Sequence, residues 1–338
     1  MIIKNDFCLK NYNTFGIKVM ARKCAQITAT DQLFELFEAN EFKNQDVLII
    51  GEGSNILLQA HFEGLVLMNL MRGKKIVSEN DNEVLVQVNA GEYWTTFVDY
   101  TVDNGWWGIE NLSLIPGKLG AAPVQNIGAY GTEQKDVFVK LQAFDMVEGK
   151  IVEFSKDDCQ FAYRDSIFKN KYKKRFLVLN VTYKLSKIAK PNLSYKALAD
   201  AFIGKNKKSI SIVDIRDTVN SIRESKLPDP QKINNAGSFF KNPIVDKAKA
   251  LDLKKKYPDI PIYEISTTES KLAAGWLIEK CNWKGKRIGD AGVHEKQALV
   301  LVNHANASGK EIYDLSEEIK KSVADLFSVT LEREVLVF

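Results

Sequence analysis

Along the chain the apolar positions change period in a way that predicts alternating helices and strands. Leu33, Phe34, Leu36 and Phe37 recur at helical spacing behind Thr30-Asp31, a pair suited to opening a helix, and Val47-Leu48-Ile49-Ile50 then reads as a strand. Residues 83–88 alternate with period two. Trp94, Phe97, Val98, Thr101 and Val102 return to helical spacing, and Gly105 is placed to end that helix. Further strands are expected over 137–144, 176–183, 299–302 and 335–338, and further helices over 214–225, 271–281 and 311–327. This mixture, without any internal repeat, predicts an α/β (α+β) fold. A chain of 338 residues is long enough for two or three domains, and Lys226-Leu227-Pro228-Asp229-Pro230 breaks a helix at the clearest boundary.

One stretch has no such period. From Gly108 to Gly131, G-I-E-N-L-S-L-I-P-G-K-L-G-A-A-P-V-Q-N-I-G-A-Y-G sets five glycines and two prolines among small and amide residues, and only Glu110 and Lys118 carry charge. Glycine permits positive φ and close backbone approach, while proline fixes φ and removes a donor. Successive tight turns that present peptide N–H groups should result. A flat ring or a diphosphate could lie on such a surface, and a structural loop between two sheets would use the same residues.

Three shorter segments leave similar pairs of readings. Gly51–Leu58, G-E-G-S-N-I-L-L, follows the 47–50 strand and offers backbone N–H groups, a hydroxyl and an amide to phosphate oxygens. It lacks the third glycine of the dinucleotide fingerprint, Ile56 standing there, and a plain strand-to-loop turn is the commoner use. In F-A-Y-R-D-S-I-F-K, Arg164 is either half of an ion pair with Asp165 or a guanidinium fixed for an anionic substrate. In N-A-G-S-F-F-K-N-P, Ser238 is either an ordinary turn serine or a proton donor held out of bulk water.

Composition narrows the classes. Hydrophobic residues make up 45% and charged residues 27%, as in ordinary globular proteins. A net charge of +4 gives no argument for a nucleic-acid partner, and the basic run 169–175 reads as a solvated turn. Cys8, Cys24, Cys159 and Cys281 form no C-x-x-C pair, which suits free thiols in a reducing compartment. With three histidines, His61, His294 and His304, neither a histidine metal site nor a Ser-His-Asp triad is expected. No secretion signal and no run of about twenty apolar residues is visible, so a cytoplasmic protein without membrane contact is expected.

Taken together, N-T-F-G-I at 13–17, G-E-G-S-N-I-L, I-P-G-K-L-G-A-A-P-V-Q-N-I-G-A-Y-G, Y-R-D-S-I-F-K, K-L-P-D-P, N-A-G-S-F-F-K-N-P, A-A-G-W-L-I-E and L-E-R-E-V resemble one family over nearly the whole chain. It is the bacterial UDP-N-acetylenolpyruvoylglucosamine reductases, FAD enzymes of peptidoglycan precursor synthesis. The resemblance implies an FAD-binding domain of the vanillyl-alcohol-oxidase type in two subdomains, 1–70 and 71–225. A substrate-binding α/β domain would follow over 226–338, its last strand returning to subdomain 1. Matching positions imply cofactor contacts from Gly51, Gly53, Ser54, Asn55, Ile56 and Leu57, and from Ser113, Ile115, Pro116, Gly117, Gly120, Ala121 and Gly128.

The implied reaction is ping-pong. NADPH reduces non-covalently bound FAD, and the enolpyruvyl ether of UDP-N-acetylglucosamine then takes hydride from flavin N5 at its β-carbon and a proton at its α-carbon. Charge on the α-carbon spreads into the carboxylate, so a cation and an acid are required. By motif match Arg164 is the cation, Ser238 the acid and Glu334 the third catalytic residue. Strand periodicity puts Glu332 on the same face as Glu334, so the pattern alone does not choose between them. Tyr195, Lys226 and Asn242 match positions that contact the substrate diphosphate and sugar, and Tyr130 and Gln297 match positions near the ligand. Tyr195 lies in L-S-Y-K-A-L, similar to the branch that folds a tyrosine-bearing loop over substrate.

There are departures from the family pattern. Ala121 and Ala122 stand where many relatives carry a hydroxyl, and Arg333 stands where proline is common, which leaves open how the C-terminal segment is fastened. The resemblance further implies a bacterial, cytoplasmic monomer without metal. Two other readings compete. An oxidase of the same fold would use oxygen, yet no His or Cys matches a covalent flavin attachment. A silent nucleotide-binding protein would have lost one of Arg164, Ser238 and Glu334, and all three are present.

Overall fold

The computed structural model describes residues 3–338, which divide into two compact units. The first comprises residues up to Phe7, Ala21–Glu52 and Glu63–Ser225; the second comprises Cys8–Met20, Gly53–Phe62 and Lys226–Phe338.

In the first unit, strands Ile3–Cys8, Met20–Ile27, Phe62–Asn69 and Val47–Ile50 lie side by side in that order. The last two pair in parallel, Val47 opposite Leu65 and Ile50 opposite Met68. The connection between those two, residues 51–61, holds the short strand Ile56–Leu57 and no helix; the helix Asp31–Glu38 instead joins Met20–Ile27 to Val47–Ile50, burying Leu33 and Leu36 with Leu65, Leu67 and Ala25. A second sheet is wholly antiparallel, in the order Lys150–Ser155, Phe138–Asp145, Phe176–Ser186, Glu83–Asn89 and Lys74–Glu79. Val84, Val86 and Val88 alternate onto one face and pack in a core with Trp94, Phe97, Val98 and Val102 of the helix Trp94–Asp103. Gly105 follows that helix at φ 70°, the left-handed stop its position predicts.

The second unit contains a sheet ordered Asn234–Ser238, Val300–Asn303, Ala291–Val293, Arg287–Ile288, and a smaller one ordered Ile244–Asp246, Glu269–Leu272, Ile262–Glu264. Its longest helix, Gly309–Phe327, opens on a capping box in which Ser308 Oγ accepts from the Glu311 N–H at 3.2 Å and Glu311 Oε2 accepts from the Ser308 N–H at 2.7 Å. Ile312, Leu315, Ile319, Val323 and Phe327 bury along one stripe of it. The helix expected over 271–281 is shorter, Ala274–Lys280, because Lys271 and Leu272 pair instead with Ile244 and Ile262. Ladder bonds to two neighbouring strands outweigh the helical spacing there.

The division along the chain is not linear. Within the second unit, Asn13 folds the Cys8–Met20 segment around its own amide, which donates to the carbonyls of Leu9 and Ile17 and accepts from the Ile17 N–H. Phe15, fully buried, stands edge-on to Phe239 at 6.2 Å, and Asn303 Nδ2 donates to the Phe15 carbonyl at 2.9 Å. The strand Leu336–Val337 pairs in parallel with Ile56–Leu57. Among the described residues, no helix is long and apolar enough to cross a membrane.

Candidate active site

In the first unit the glycine-rich stretch forms turns, a short 3-10 segment Leu119–Ala121, a four-residue helix Ala122–Gln125 and a hairpin of Gly128–Ala129 with Thr132–Glu133. Close approach restricts Gly120 of this stretch and crowds Gly51 of the 51–58 motif. A Cβ on Gly120 would lie 2.7 Å from Ala90 Cβ, where the Gly120 N–H donates to the Ala90 carbonyl at 2.9 Å. A Cβ on Gly51 would lie 3.1 Å from Lys118 Cβ, and Glu52 Oε2 accepts the Gly117 N–H at 2.6 Å. The end of the 47–50 strand and the Pro116–Lys118 turn are thereby pinned to each other. Glu110 turns inward and takes the Gly108 N–H at 2.6 Å; burial pushes its carboxyl above the ordinary range.

Ser113 is buried, and its hydroxyl donates to Asn220 Oδ1 at 2.6 Å on the helix Ile212–Lys226. Ile115 and Pro116 are half-buried, while Ala121 is exposed.

Arg164 is brought to this stretch. Its Nη2 donates to the Gly128 carbonyl, and Asn126 Nδ2 donates to the Ala162 carbonyl at 3.0 Å, so the Tyr163–Asp165 turn and the glycine hairpin hold each other. Asp165 takes no part in this; its carboxylate accepts from the Ser166 N–H and from Asn170 Nδ2, both at 2.9 Å. Leu114, Asn126, Tyr130 and Arg164 all have left-handed backbone, with φ between 46° and 55°. Such a conformation costs on the order of 1 kcal/mol for each non-glycine residue, so four in one region mark a backbone held by its surroundings.

Tyr130 connects further groups. Its ring meets Tyr195 edge-on at 5.0 Å, its carbonyl accepts from Asn111 Nδ2 at 2.9 Å, and its hydroxyl is hydrogen-bonded to Arg223. Burial pushes the Tyr130 phenol up and holds the Arg223 guanidinium below its ordinary value. Asn111 Nδ2 also donates to the Asn192 carbonyl at 2.9 Å, which fixes the amide's orientation and leaves Oδ1 as a buried acceptor without a partner among the described residues. Tyr195 itself is exposed at the start of the helix Lys196–Ala201.

The second unit holds Ser238 and Glu334 together. Ser238 ends its strand opposite Val300, after a bulge that uses Gly237 at φ 70°. The next residue, Phe239, accepts the Glu334 N–H at 2.8 Å through its carbonyl, and Phe240 bridges Arg333. Glu332 and Glu334, equivalent by periodicity, are separated here: Glu332 is exposed and ion-paired with Lys241 at 3.0 Å, whereas Glu334 is half-buried. Asn55 Nδ2 donates to the Glu334 carbonyl at 3.3 Å, so the Gly53–Leu58 part of the first motif reaches the same strand. Gly53 is buried at φ 67°, and a Cβ there would overlap the Tyr12 carbonyl and sit 2.6 Å from Asn13 Cα. Ser54 is half-buried, and Ile56 and Leu57 lie opposite Leu336 and Val337.

Of the remaining candidates, Asn242 Oδ1 accepts the Ala274 N–H at 2.9 Å and so caps a helix, and Gln297 Oε1 accepts the Leu299 N–H at 3.3 Å. Lys226 is exposed at the end of its helix. Arg333 fastens the C-terminal segment: its Nε donates to Ser316 Oγ at 2.9 Å, its Nη2 pairs with Glu317, and its guanidinium lies 4.2 Å from the Tyr313 ring. Sequence reasoning missed Asn111, Asn220 and Arg223. The spacing of Asn220 and Arg223, on a polar stripe beside the apolar Ile215, Val219 and Ile222, is the one signal that could have raised the last two.

The first unit falls in the class of FAD-binding proteins, since residues 22–155 match the family model described as FAD binding domain. Residues 229–338 match the model described as UDP-N-acetylenolpyruvoylglucosamine reductase, C-terminal domain. A protein named UDP-N-acetylenolpyruvoylglucosamine reductase in Flavobacterium johnsoniae is 46% identical over 338 residues, covering 100% of both chains. One of the same name in Paraburkholderia phymatum is 45% identical over 331 residues, covering 97% of this chain and 96% of its own. The crystal structure of UDP-N-acetylenolpyruvylglucosamine reductase from Thermus caldophilus superposes with a TM-score of 0.70 at 21% identity, over 100% of this chain and 99% of that one, and so shares the fold. The chain belongs to the UDP-N-acetylenolpyruvoylglucosamine reductase family.

Proposed function

We propose that this chain reduces the enolpyruvyl ether of UDP-N-acetylglucosamine to UDP-N-acetylmuramate, a step of peptidoglycan precursor synthesis, with NADPH as hydride donor and FAD bound non-covalently. The observation that carries the reading is the adjacency of Ser238 and Glu334, joined through Phe239, in a chain that also fixes Arg164 against a glycine-rich cofactor loop. The residues present fit FAD: Asn111 Oδ1, within the glycine-rich stretch, is a buried acceptor that a donor would satisfy. When bound, the flavin relays hydride from NADPH to the β-carbon of the enolpyruvyl group.

Gly51, Gly53, Ser54, Asn55, Ile56 and Leu57 would hold that cofactor together with Ser113, Ile115, Pro116, Gly117, Gly120, Ala121 and Gly128. Ser113 already donates its proton to Asn220, so its oxygen would serve as acceptor. Arg164 holds the substrate carboxylate, whose charge grows as the α-carbon becomes basic. Ser238 delivers the proton to that carbon; a hydroxyl is a feeble acid, so it must lie within about 3 Å of a strongly basic centre. Glu334 polarises the same group, a role that Glu332, tied to Lys241 in solvent, is poorly placed to take.

Residues 226–338 supply the substrate domain. Tyr130, Tyr195 and Lys226 would contact the nucleotide sugar. Asn242 and Gln297 would do so through their amide N–H groups, since their oxygens are engaged. A bacterial cytoplasm is the location this reading carries; Cys8, Cys24, Cys159 and Cys281 are free, and burial pushes the Cys24 thiol up to about 11 and the Cys159 thiol to about 12, which makes both poor nucleophiles. The family resemblance also implies a monomer.

An anaerobic titration followed by flavin absorbance tests the proposal. Bleaching on adding NADPH and recovery on adding the enolpyruvyl ether is the expected result. Recovery with oxygen alone would replace the reductase by an oxidase, and protein without flavin would remove the cofactor.

A further inference from the structure

Only two residues of the glycine-rich stretch carry charge, and the structure treats them differently. Glu110 is spent on the Gly108 N–H. Lys118 is also buried, at 6% exposure, and no salt bridge holds it among the described residues. Its stem packs on Gly51, and its ammonium lies 3.3 Å from the centroid of the Tyr93 ring. The same ring carries the Arg72 guanidinium at 4.9 Å. Backbone contacts fix the arrangement: Tyr93 and Lys118 form an antiparallel bridge, and the Trp94 N–H donates to the Gly117 carbonyl at 3.0 Å.

Among the described residues neither cation makes a salt bridge; the Glu52 carboxylate, which accepts the Gly117 N–H, acts on Lys118 only through space and is one negative charge against two cations. Burial and the Arg72 charge hold the Lys118 ammonium below its ordinary value. A cation–π contact recovers less than the desolvation of an ammonium costs, and a second cation on the same ring adds repulsion. The fold thus sets two cations, Lys118 and Arg72, against the single Glu52 carboxylate at the turn that also carries Gly117 and Gly120. Backbone N–H groups can hydrogen-bond a diphosphate, but they cannot neutralise its two charges, and none of the cofactor residues named above is a cation.

We propose that Lys118, assisted by Arg72 across Tyr93, is the counter-charge for the diphosphate of the bound dinucleotide. The inference rests on the FAD reading above. Lys118 is then a cofactor-binding residue whose side chain is buried against Gly51 before the ligand arrives, while Arg72, exposed, contributes through solvent and counts for less.

Binding constants separate this from a purely structural lysine. The full-length protein is stripped of flavin, and its affinities for FAD and for riboflavin, which lacks phosphate, are measured by fluorescence quenching at low and high salt. Lys118→Met should weaken FAD binding roughly ten- to a hundredfold, leave riboflavin binding unchanged and flatten the salt dependence. Lys118→Arg should keep most of the affinity, and Arg72→Gln should lose a smaller part of it. FAD affinity of Lys118→Met within about twofold of wild type overturns the proposal, as does an equal loss for riboflavin. Should Lys118→Met not fold, the exposed Arg72→Gln decides: unchanged FAD affinity and salt slope overturn the pair. Wild-type protein that binds neither FAD nor riboflavin instead removes the functional reading on which the inference stands.

Discussion

Asn13→Ala perturbs the second unit at a defined point. The wild-type amide makes three hydrogen bonds at a buried position: Nδ2 to the Leu9 carbonyl at 2.8 Å, Nδ2 to the Ile17 carbonyl at 3.0 Å, and Oδ1 from the Ile17 N–H at 3.0 Å. Both carbonyls keep a second donor, Tyr12 N–H for Leu9 and Val19 N–H for Ile17, so the truncation leaves only the Ile17 N–H without its partner. Three bonds at about 1 kcal/mol each, plus roughly 1–3 kcal/mol for the desolvation of one bare N–H, give a loss of about 4–6 kcal/mol. That is a large fraction of the ~5–15 kcal/mol stability of a typical domain. The Cys8–Met20 segment carries Phe15 onto Phe239, next to Ser238, so loosening it should also lower turnover with the enolpyruvyl ether.

Because a chain of two units need not unfold in one step, amide hydrogen exchange is the appropriate assay. Amides of the second unit should lose roughly three to four orders of magnitude of protection, while those of the five-stranded sheet in the first unit stay as they are. Asn13→Asp should be at least as damaging near neutral pH, since a carboxylate would face two carbonyls, and should recover in part once the acid is protonated. Protection in the second unit of Asn13→Ala within about threefold of wild type would refute the reasoning.

Other outcomes are expected on the same footing. Ser238→Ala should leave the NADPH half-reaction nearly intact and slow the substrate half-reaction by orders of magnitude in rapid-mixing experiments; an equal loss in both would remove the proton-donor role. Arg164→Lys should fail in that same half-reaction, because an ammonium cannot make a two-pronged contact with a carboxylate, and near-normal turnover would count against the contact. Burial pushes the Asp145 carboxyl up, but the bonds from Arg175, at 2.6 and 3.0 Å, and from the Val147 N–H hold it below its ordinary value of 3.8. A depressed carboxyl stabilises the fold above its unfolded-state value and loses that contribution as pH falls through the folded-state value. Asp145→Asn should therefore unfold at lower urea than wild type near pH 7, and the gap should narrow as pH falls past the ordinary carboxylate value and close only below the depressed folded-state one; a constant gap would contradict the linkage.

Much of the fold was legible where packing and local pattern agree. The 31–38 and 94–103 helices each bury one apolar stripe, and Val47–Ile50 is a run apolar enough to be a strand in any context. Met20–Ile27 escaped notice because Arg22 and Lys23 break its alternation while its neighbours in the sheet still pair with it. The 274–280 helix begins late because strand partners far along the chain claim Lys271 and Leu272. Arg164 and Asp165 could not be told from an ion pair by adjacency; the partners of Asp165, Ser166 and Asn170, decide the matter. Glu332 and Glu334 likewise needed Lys241 to distinguish them. Asn111 and Arg223 answer to Asn192 and Tyr130, contacts that no period encodes.

The parallel pair of Ile56–Leu57 with Leu336–Val337 also sets an order of events during synthesis. At ribosomal rates of about 5–20 residues per second, the earlier strand emerges roughly fifteen to sixty seconds before its partner exists. For that interval the nascent chain exposes the apolar run Ile56-Leu57-Leu58, later buried, with two of its three residues still lacking their strand. A ribosome-bound chaperone that favours short apolar stretches would find its target there, and would release it only when translation reaches the partner strand.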